Sequence, residues 1–355
     1  MHRAPDFPYR LTRLGILMTP AAGDPLEVEG VLNPAATWAP NGRPYLFPRL
    51  VAQGNESRVG RAEILLEDGA PTAVERAGIA LAPDRSWEHG TRHGGVEDPR
   101  ITWIPSLGYY VMAYVAYGPL GPRAALALST DTESWARLGP VQFGYEDALD
   151  TDLNLFPNKD LAWFPEVVPD PDGKPSYAFL HRPMFELDFP RPGEMVSLPA
   201  GVTDDRAAIW ISYVDAEEAA HDIRALRRPQ RHRELAAAEA DWEALKVGGG
   251  PPPVRVPEGW LLIYHGVSGS ISPDPFEPQK DVCYAAGAMI LDAAHPERVI
   301  ARTTAPLLAP ELAEERVGIV GNVVFPTATL DVEGITYVLY GMADSAIGVA
   351  RLDRA

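Results

Sequence analysis

The side chains in this sequence that could do chemistry gather at the ends of one recurring kind of segment. Arg49 closes "NGRPYLFPR", His181 and Arg182 close "DGKPSYAFLHRP", Tyr264 and His265 fall near the end of "EGWLLIYHGV", and Asp344 closes "EGITYVLYGMAD". Two polar stretches run into apolar segments of the same kind. "GGVEDPRI" (94–101) carries Glu97 and Asp98, and "NLFPNKDLAWFPE" carries Asn158, Lys159 and Asp160. Carboxylates beside cations and neutral hydrogen-bonding groups are the material of acid catalysis and anion binding. Competing chemistries lack their signatures: there is no HExxH, no paired CxxC, no GxSxG and no P-loop. The glycines at 248–250 run into three prolines rather than a helix, which excludes a dinucleotide fingerprint. Metal-independent acid catalysis remains, with no cofactor called for. Taken singly, each of these residues reads as a surface loop or a satisfied ion pair. Their recurrence in register is what suggests a site.

The elements that must position them read as short strands. Glycine (31) and proline (36) are spread along the 355 residues, punctuation that suits many strands better than long helices. The four quoted segments and "LGYYVMAYVAYG" (107–118) each place a turn before an aromatic strand. With Tyr45, Tyr110, Tyr177, Trp260 and Tyr337 as markers, the pattern returns every 65 to 83 residues, room for one four-stranded sheet and its loops. Five such sheets set radially predict an all-β chain folded as a single five-bladed β-propeller over 1–355. A β-sandwich or two β domains would also accommodate the strands. In a propeller, equivalent strand ends converge on one face and form a pocket on a rigid frame. Residues 215–247 are rich in Ala, Leu, Glu and Arg and predict a helical insertion, broken in two at Pro229 and stopped by the glycines after Val247. Its arginines are flanked by acids and read as a solvated face or subunit contact.

The formal charge of −18 argues against nucleic acid and anionic membrane as partners, so a bound anion would need a local basic cluster. Cys283 is the sole cysteine, and no run approaches the roughly 20 apolar residues of a membrane span. With no signal-peptide core in the first 20 residues, a cytoplasmic protein is expected. The helical segment and the N-terminal arm offer surfaces for a homo-oligomer.

The strings "GGVEDPRIT", "NKDLAWFPE" followed by "HRP", "KVGGGPPP" with "GWLLIYHGV", "GNVVFPTA" and "YGMADSAIGVA" resemble glycoside hydrolase family 130, in order, from "EGVLNPAA" near residue 30 to the C-terminus. The resemblance implies a five-bladed propeller acting on β-mannosides, either as a phosphorylase or as a mannosidase. It makes Asp98 the catalytic acid, reaching the glycosidic oxygen through the sugar's 3-hydroxyl. In the phosphorylases, inorganic phosphate attacks the anomeric carbon with inversion and gives α-mannose 1-phosphate. One catalytic carboxylate then suffices, because the anion replaces the base-activated water of an inverting glycosidase. By motif, the phosphate site falls on Lys159, His181, Arg182, Tyr264 and His265, and the sugar site on Asn33, Arg49 and Asp344, with Arg58 as a further candidate for either. Arg100 is expected to brace the "EDPR" segment, taken as a glycine-hinged loop, against a neighbouring acid.

The chain departs from the family pattern at Pro48, before Arg49, and at Pro34, beside Asn33, which leaves the acceptor sugar open. Two other readings compete: a β-mannosidase using water on the same scaffold, and a propeller that binds glycans without turning them over. The basic residues of "HRP" and "YHG" favour phosphorolysis over the first. Asp98 beside intact basic motifs argues against the second.

Overall fold

The structure is a computed structural model that describes residues 7–90, 93–185, 194, 197–271 and 281–355. It is all-β, and its strands follow one another in antiparallel groups. β1 (Tyr9–Met18) stands apart in sequence. β2 (Gly30–Trp38), β3 (Pro44–Ala52), β4 (Glu56–Glu67) and β5 (Ala70–Leu81) form the first group. β6 (Gly94–Ile104), β7 (Tyr109–Gly118), β8 (Gly121–Ser129) and β9 (Ala136–Pro140) form the second. A short parallel contact of Glu56 and Ser57 with Gly94 and Gly95 joins the two into one eight-stranded sheet. β10 (Asn158–Pro169), β11 (Pro175–Pro183), β12 (Ile209–Asp215) and β13 (Gln230–Ala236) pair in sequence order. In the next sheet β14 (Lys246–Gly249) and β15 (Val254–Val256) share β16 (Gly259–Gly269), followed by β17 (Val282–Leu291) and β18 (Val299–Arg302). The last sheet orders β19 (Val324–Val332), β20 (Ile335–Met342) and β21 (Ala346–Arg354), and closes on β1, whose Tyr9 pairs with Arg354. The short N-terminal arm is a sheet strand from Tyr9 onward; residues 1–6 lie outside the described set.

All five aromatic markers sit on the strand that pairs with the first strand of a group, on β3, β7, β11, β16 and β20, and all are buried. The cores lie between successive groups. On β11, Tyr177 and Phe179 pack toward β7 and β8, while Ala178 and Leu180 pack toward β14 and β16. A strand buried on both faces has no polar alternation to display, which is why "SYAFL" and "YYVMAYVAYG" read as continuous apolar runs. The groups also meet along their first strands: β2 lies beside β6, β6 beside β10, β10 beside β14, and β19 beside β2.

The helical reading of 215–247 is corrected. Only Ala216–His221 forms an α-helix (α1), started by the Asp215 carboxylate, which accepts from the Glu218 amide at 2.8 Å. A 3-10 turn follows at Ile223–Arg227, and after Pro229 the chain becomes β13, paired to β12 with Leu235 and Ala236 in the core. Helix propensity is a weak prior, and pairing at the edge of a sheet overrides it. Among the described residues no helix is long and apolar enough to cross a membrane.

Candidate functional site

"GGVEDPRI" is not a loop. It opens β6, a strand buried along nearly its whole length. Gly95 has φ +122, and a Cβ there would collide with the Ser57 carbonyl, so the glycines allow β6 to lie against β4. Beyond them the register slips: Glu97 faces Val115 but Arg100 faces Ala113, so three residues on β6 span two on β7. Asp98 sits inside this bulge at φ 46. β2 repeats the arrangement between Leu32 and Ala35, with Asn33 at φ 42, and β10 repeats it between Lys159 and Ala162, with Asp160 at φ 55. Asn and Asp tolerate the left-handed region better than other side chains, and a bulge re-aims the residue it contains. Three neighbouring strands thus turn a polar side chain out of the sheet pattern into one cavity.

That cavity has a volume of about 340 Å³, and its polar lining comprises Asn33, Arg49, Asp98, Lys159, Asp160, Arg182, Lys246, His265 and Asp344, with Tyr117, Tyr284 and Phe325 among the aromatic walls. On one side, Asp98 Oδ1 accepts from Asn33 Nδ2 at 2.9 Å and from Arg49 Nη1 at 3.2 Å. Arg49 is held in turn by Ser57, Asn55 and Glu97. Burial alone would raise the Asp98 pKa, but Arg49, Lys159 and Arg100 outweigh it and hold the carboxyl below its usual range. Asp344 goes the other way. Burial pushes it up to about 6; Arg49 and Lys159 oppose the rise, and Asp98 and Glu97 add to it.

Elsewhere in the lining, Arg182 is paired to Asp160, and Lys159 Nζ lies 3.7 Å from Glu97, the same carboxylate that holds Arg49. His265 is buried 3.7 Å from the Asp160 carboxylate, and neither ring nitrogen has a hydrogen-bond partner among the described residues. Burial lowers its pKa to about 3, so the ring is neutral near pH 7. For Asp160, burial is outweighed by Arg182, with Arg100 adding to it, and the carboxyl stays ionised. Gly248 makes room for this cluster: a Cβ there would run into both the Asp160 carboxylate and the His265 ring.

Of the expected residues, the structure brings together Asp98, Asn33, Arg49, Asp344, Lys159, Arg182 and His265. Three do not reach the cavity. His181 and Arg182 are successive residues on β11, and successive strand side chains point to opposite faces. Arg182 takes the cavity; His181 is fully buried against Phe143 and Phe179. The same alternation on β16 sends His265 to the cavity and Tyr264 into the core, where its hydroxyl bonds to Glu243 and receives from Arg302 at 3.1 Å. Arg58, next to the inward Ser57, pairs with Glu56 on the outer side. Arg100 does brace the bulge, but through backbone carbonyls rather than an acid: Nη1 donates to Asp98 O at 3.0 Å and Nε to Gly250 O at 2.9 Å. The residues not foreseen are Lys246, Tyr117, Tyr284 and Phe325. Lys246 stands two residues before the Gly248–Gly250 run, a signal that was readable; Tyr284 on β17 carries none.

Residues 207–354 match the family described as beta-1,4-mannooligosaccharide phosphorylase, glycoside hydrolase family 130. The chain is 32% identical over 351 residues to a 1,2-beta-oligomannan phosphorylase of Thermoanaerobacter sp. (strain X514), covering 97% of this chain and 96% of that protein. The chain belongs to glycoside hydrolase family 130. A second relative within the family, a beta-1,2-mannobiose phosphorylase from the same organism, is 31% identical over 370 residues and covers 98% of each chain. Among solved structures, the beta-1,2-mannobiose phosphorylase of Listeria innocua in complex with beta-1,2-mannobiose superposes with a TM-score of 0.68, at 23% identity, over 97% of this chain and 96% of that one.

Proposed function

We propose that this protein is an inverting β-mannoside phosphorylase, with β-1,2-linked mannobiose or oligomannan as its first substrate class. The observation that carries the reading is the combination of groups in a single cavity. Its lining holds a carboxyl bonded by Asn33 and Arg49 together with Lys159, Arg182, Lys246 and His265, in a chain whose overall charge is strongly negative. The linkage follows the printed activities of the two relatives matched over nearly the full length.

In this reading Lys159 and Arg182 hold inorganic phosphate by charge-assisted hydrogen bonds, and the His265 ring nitrogens, unpartnered among the described residues, add a neutral donor and acceptor. Asn33, Arg49 and Asp344 orient the mannoside. A phosphate oxygen bonds to the anomeric carbon from the face opposite the leaving group. The glycosidic C–O bond breaks, and the proton of Asp98 passes to the departing oxygen, relayed by a sugar hydroxyl. Lys159, one of the cations that keep Asp98 ionised, is also one that a phosphate dianion would offset. Co-substrate binding therefore favours the protonated acid that the step requires.

We further infer that the five strand groups stand as blades around one axis, with 1–355 as one catalytic unit. The packing of cores between successive groups, the contacts among first strands and the pairing of β1 with β21 support this arrangement.

The test is incubation with β-1,2- and β-1,4-mannobiose, with and without phosphate, assaying mannose 1-phosphate and free mannose. Mannose 1-phosphate formed only with phosphate, and faster from the β-1,2 sugar, is expected. Free mannose released regardless of phosphate would overturn the reading in favour of hydrolysis.

A further inference from the structure

His181, excluded from the cavity, is one link in a buried chain of side chains drawn from all four strands of the third sheet. Asn158 on β10 meets His181 Nδ1 at 3.0 Å, and His181 Nε2 meets Ser212 Oγ on β12 at 2.7 Å. Ser212 Oγ meets His232 Nδ1 on β13 at 2.7 Å, and His232 Nε2 meets the Gly144 carbonyl at 2.8 Å. Each named side chain is at least nine-tenths buried.

The proton positions follow from either end. The Gly144 carbonyl can only accept, so His232 carries its hydrogen on Nε2 and accepts at Nδ1. Ser212 then donates to His232 and must accept from His181 Nε2, which leaves His181 Nδ1 as an acceptor. From the cavity end, the Arg182 backbone N–H donates to Asn158 Oδ1 at 3.1 Å. That sets the carboxamide so that Nδ2 faces His181 Nδ1 as a donor. The two derivations agree at every link, and burial, which lowers both histidines, keeps the rings neutral as the scheme requires.

Asn158 and Arg182 flank the bulge at which β10 loses register with β11, so the carboxamide ties the strands together where the backbone ladder is interrupted. We propose that the Asn158–His181–Ser212–His232 chain is a positioning device that holds Arg182 and the Lys159–Asp160 turn in the geometry that binds the anion. This assigns His181 a role behind the site rather than in it. It rests on the phosphorylase reading only in naming phosphate as the anion. Breaking the chain at Ser212 leaves the His181 Nε2 hydrogen without a buried acceptor. Moving that hydrogen to Nδ1 would point it at the Asn158 amino group. The carboxamide must then turn over, and it can no longer accept from Arg182.

Two measurements test this. Long-range nitrogen–proton correlation of the imidazole rings at pH 7.5, assigned with H181Q and H232Q, is expected to show both histidines neutral with the hydrogen on Nε2. An Nδ1–H tautomer or a charged ring at either residue overturns the chain, whatever the enzyme does. In Ser212→Ala, inorganic phosphate binding measured by calorimetry is expected to weaken by about tenfold, with KM for the mannoside changed less than about twofold. Unchanged phosphate affinity overturns the positioning role while leaving the phosphorylase reading intact. Absence of phosphate binding in the wild-type protein overturns the phosphorylase reading itself and, with it, the anion assigned here.

Discussion

Asp344 offers a sharp test of how the cavity is charged. It lies at the turn between β20 and β21 with φ 52, so Asn can replace it without new backbone strain. Its folded pKa of about 6 stands above the reference of 3.8, chiefly because of burial. A carboxyl with a raised pKa is held more tightly by its proton in the folded state than in the unfolded one. Stability is therefore lost as the pH climbs from about 4 through about 6, and the full penalty stands above that window. Two pKa units correspond to about 3 kcal/mol, and solvent reaching the partly exposed carboxyl through the cavity lowers this toward about 2 kcal/mol. Asp344→Asn removes the ionisable group. It should stabilise the protein by about 2–3 kcal/mol at pH 8 and by only about 0.5 kcal/mol at pH 4. Urea unfolding of the wild type and the variant at the two pH values measures this directly. An equal gain at both would show that burial does not set the penalty. A loss at pH 8 would show that the attraction of Arg49 and Lys159 for the ionised carboxylate outweighs its desolvation.

Two further outcomes are expected. Asp98→Asn keeps the hydrogen-bonding shape and tolerates the bulge conformation, so the fold and phosphate binding should persist while kcat falls by about 10²–10⁴; turnover within about tenfold of wild type would remove Asp98 as the acid. Gly248→Ala should force Asp160 and His265 apart, costing about 1–3 kcal/mol of stability and weakening phosphate binding. A variant that matches the wild type in both would show that the close approach is not needed.

The period of the fold was readable because each group spends its aromatic residues on the same strand, after the same kind of turn. The aim of individual side chains was not. Where both faces of a strand are buried, as on β11 and β16, no polar alternation says which of two neighbours faces the cavity. "HRP" and "YHG" each offered two candidates and supplied one. "EDPR" was misread for a related reason. Glycine, proline and charge together suggest a loop, yet here they mark a strand whose irregularity is a bulge, and a one-residue slip leaves no distinct trace in composition. Segment 215–247 shows the opposite fault. Its helix-forming composition was legible, but the open edge of β12 that recruits β13 lies in residues elsewhere in the chain.

The pairing of β1 with β21 also bears on the order in which the fold assembles. Tyr9 must find Arg354 across almost the whole chain, a loop closure with a large entropic cost and one that favours slow, late assembly. The cavity draws Asn33 from β2 and Asp344 from just before β21, and β2 lies directly against β19, β20 and β21, so both ends of the chain contribute to it. While the protein is being made, the earlier strand groups can pack against one another in order as they emerge. The charged pocket, by contrast, lacks part of its lining until Asp344 is in place. A chain that stops short of that residue thus carries the earlier sheets but not the full set of cavity side chains.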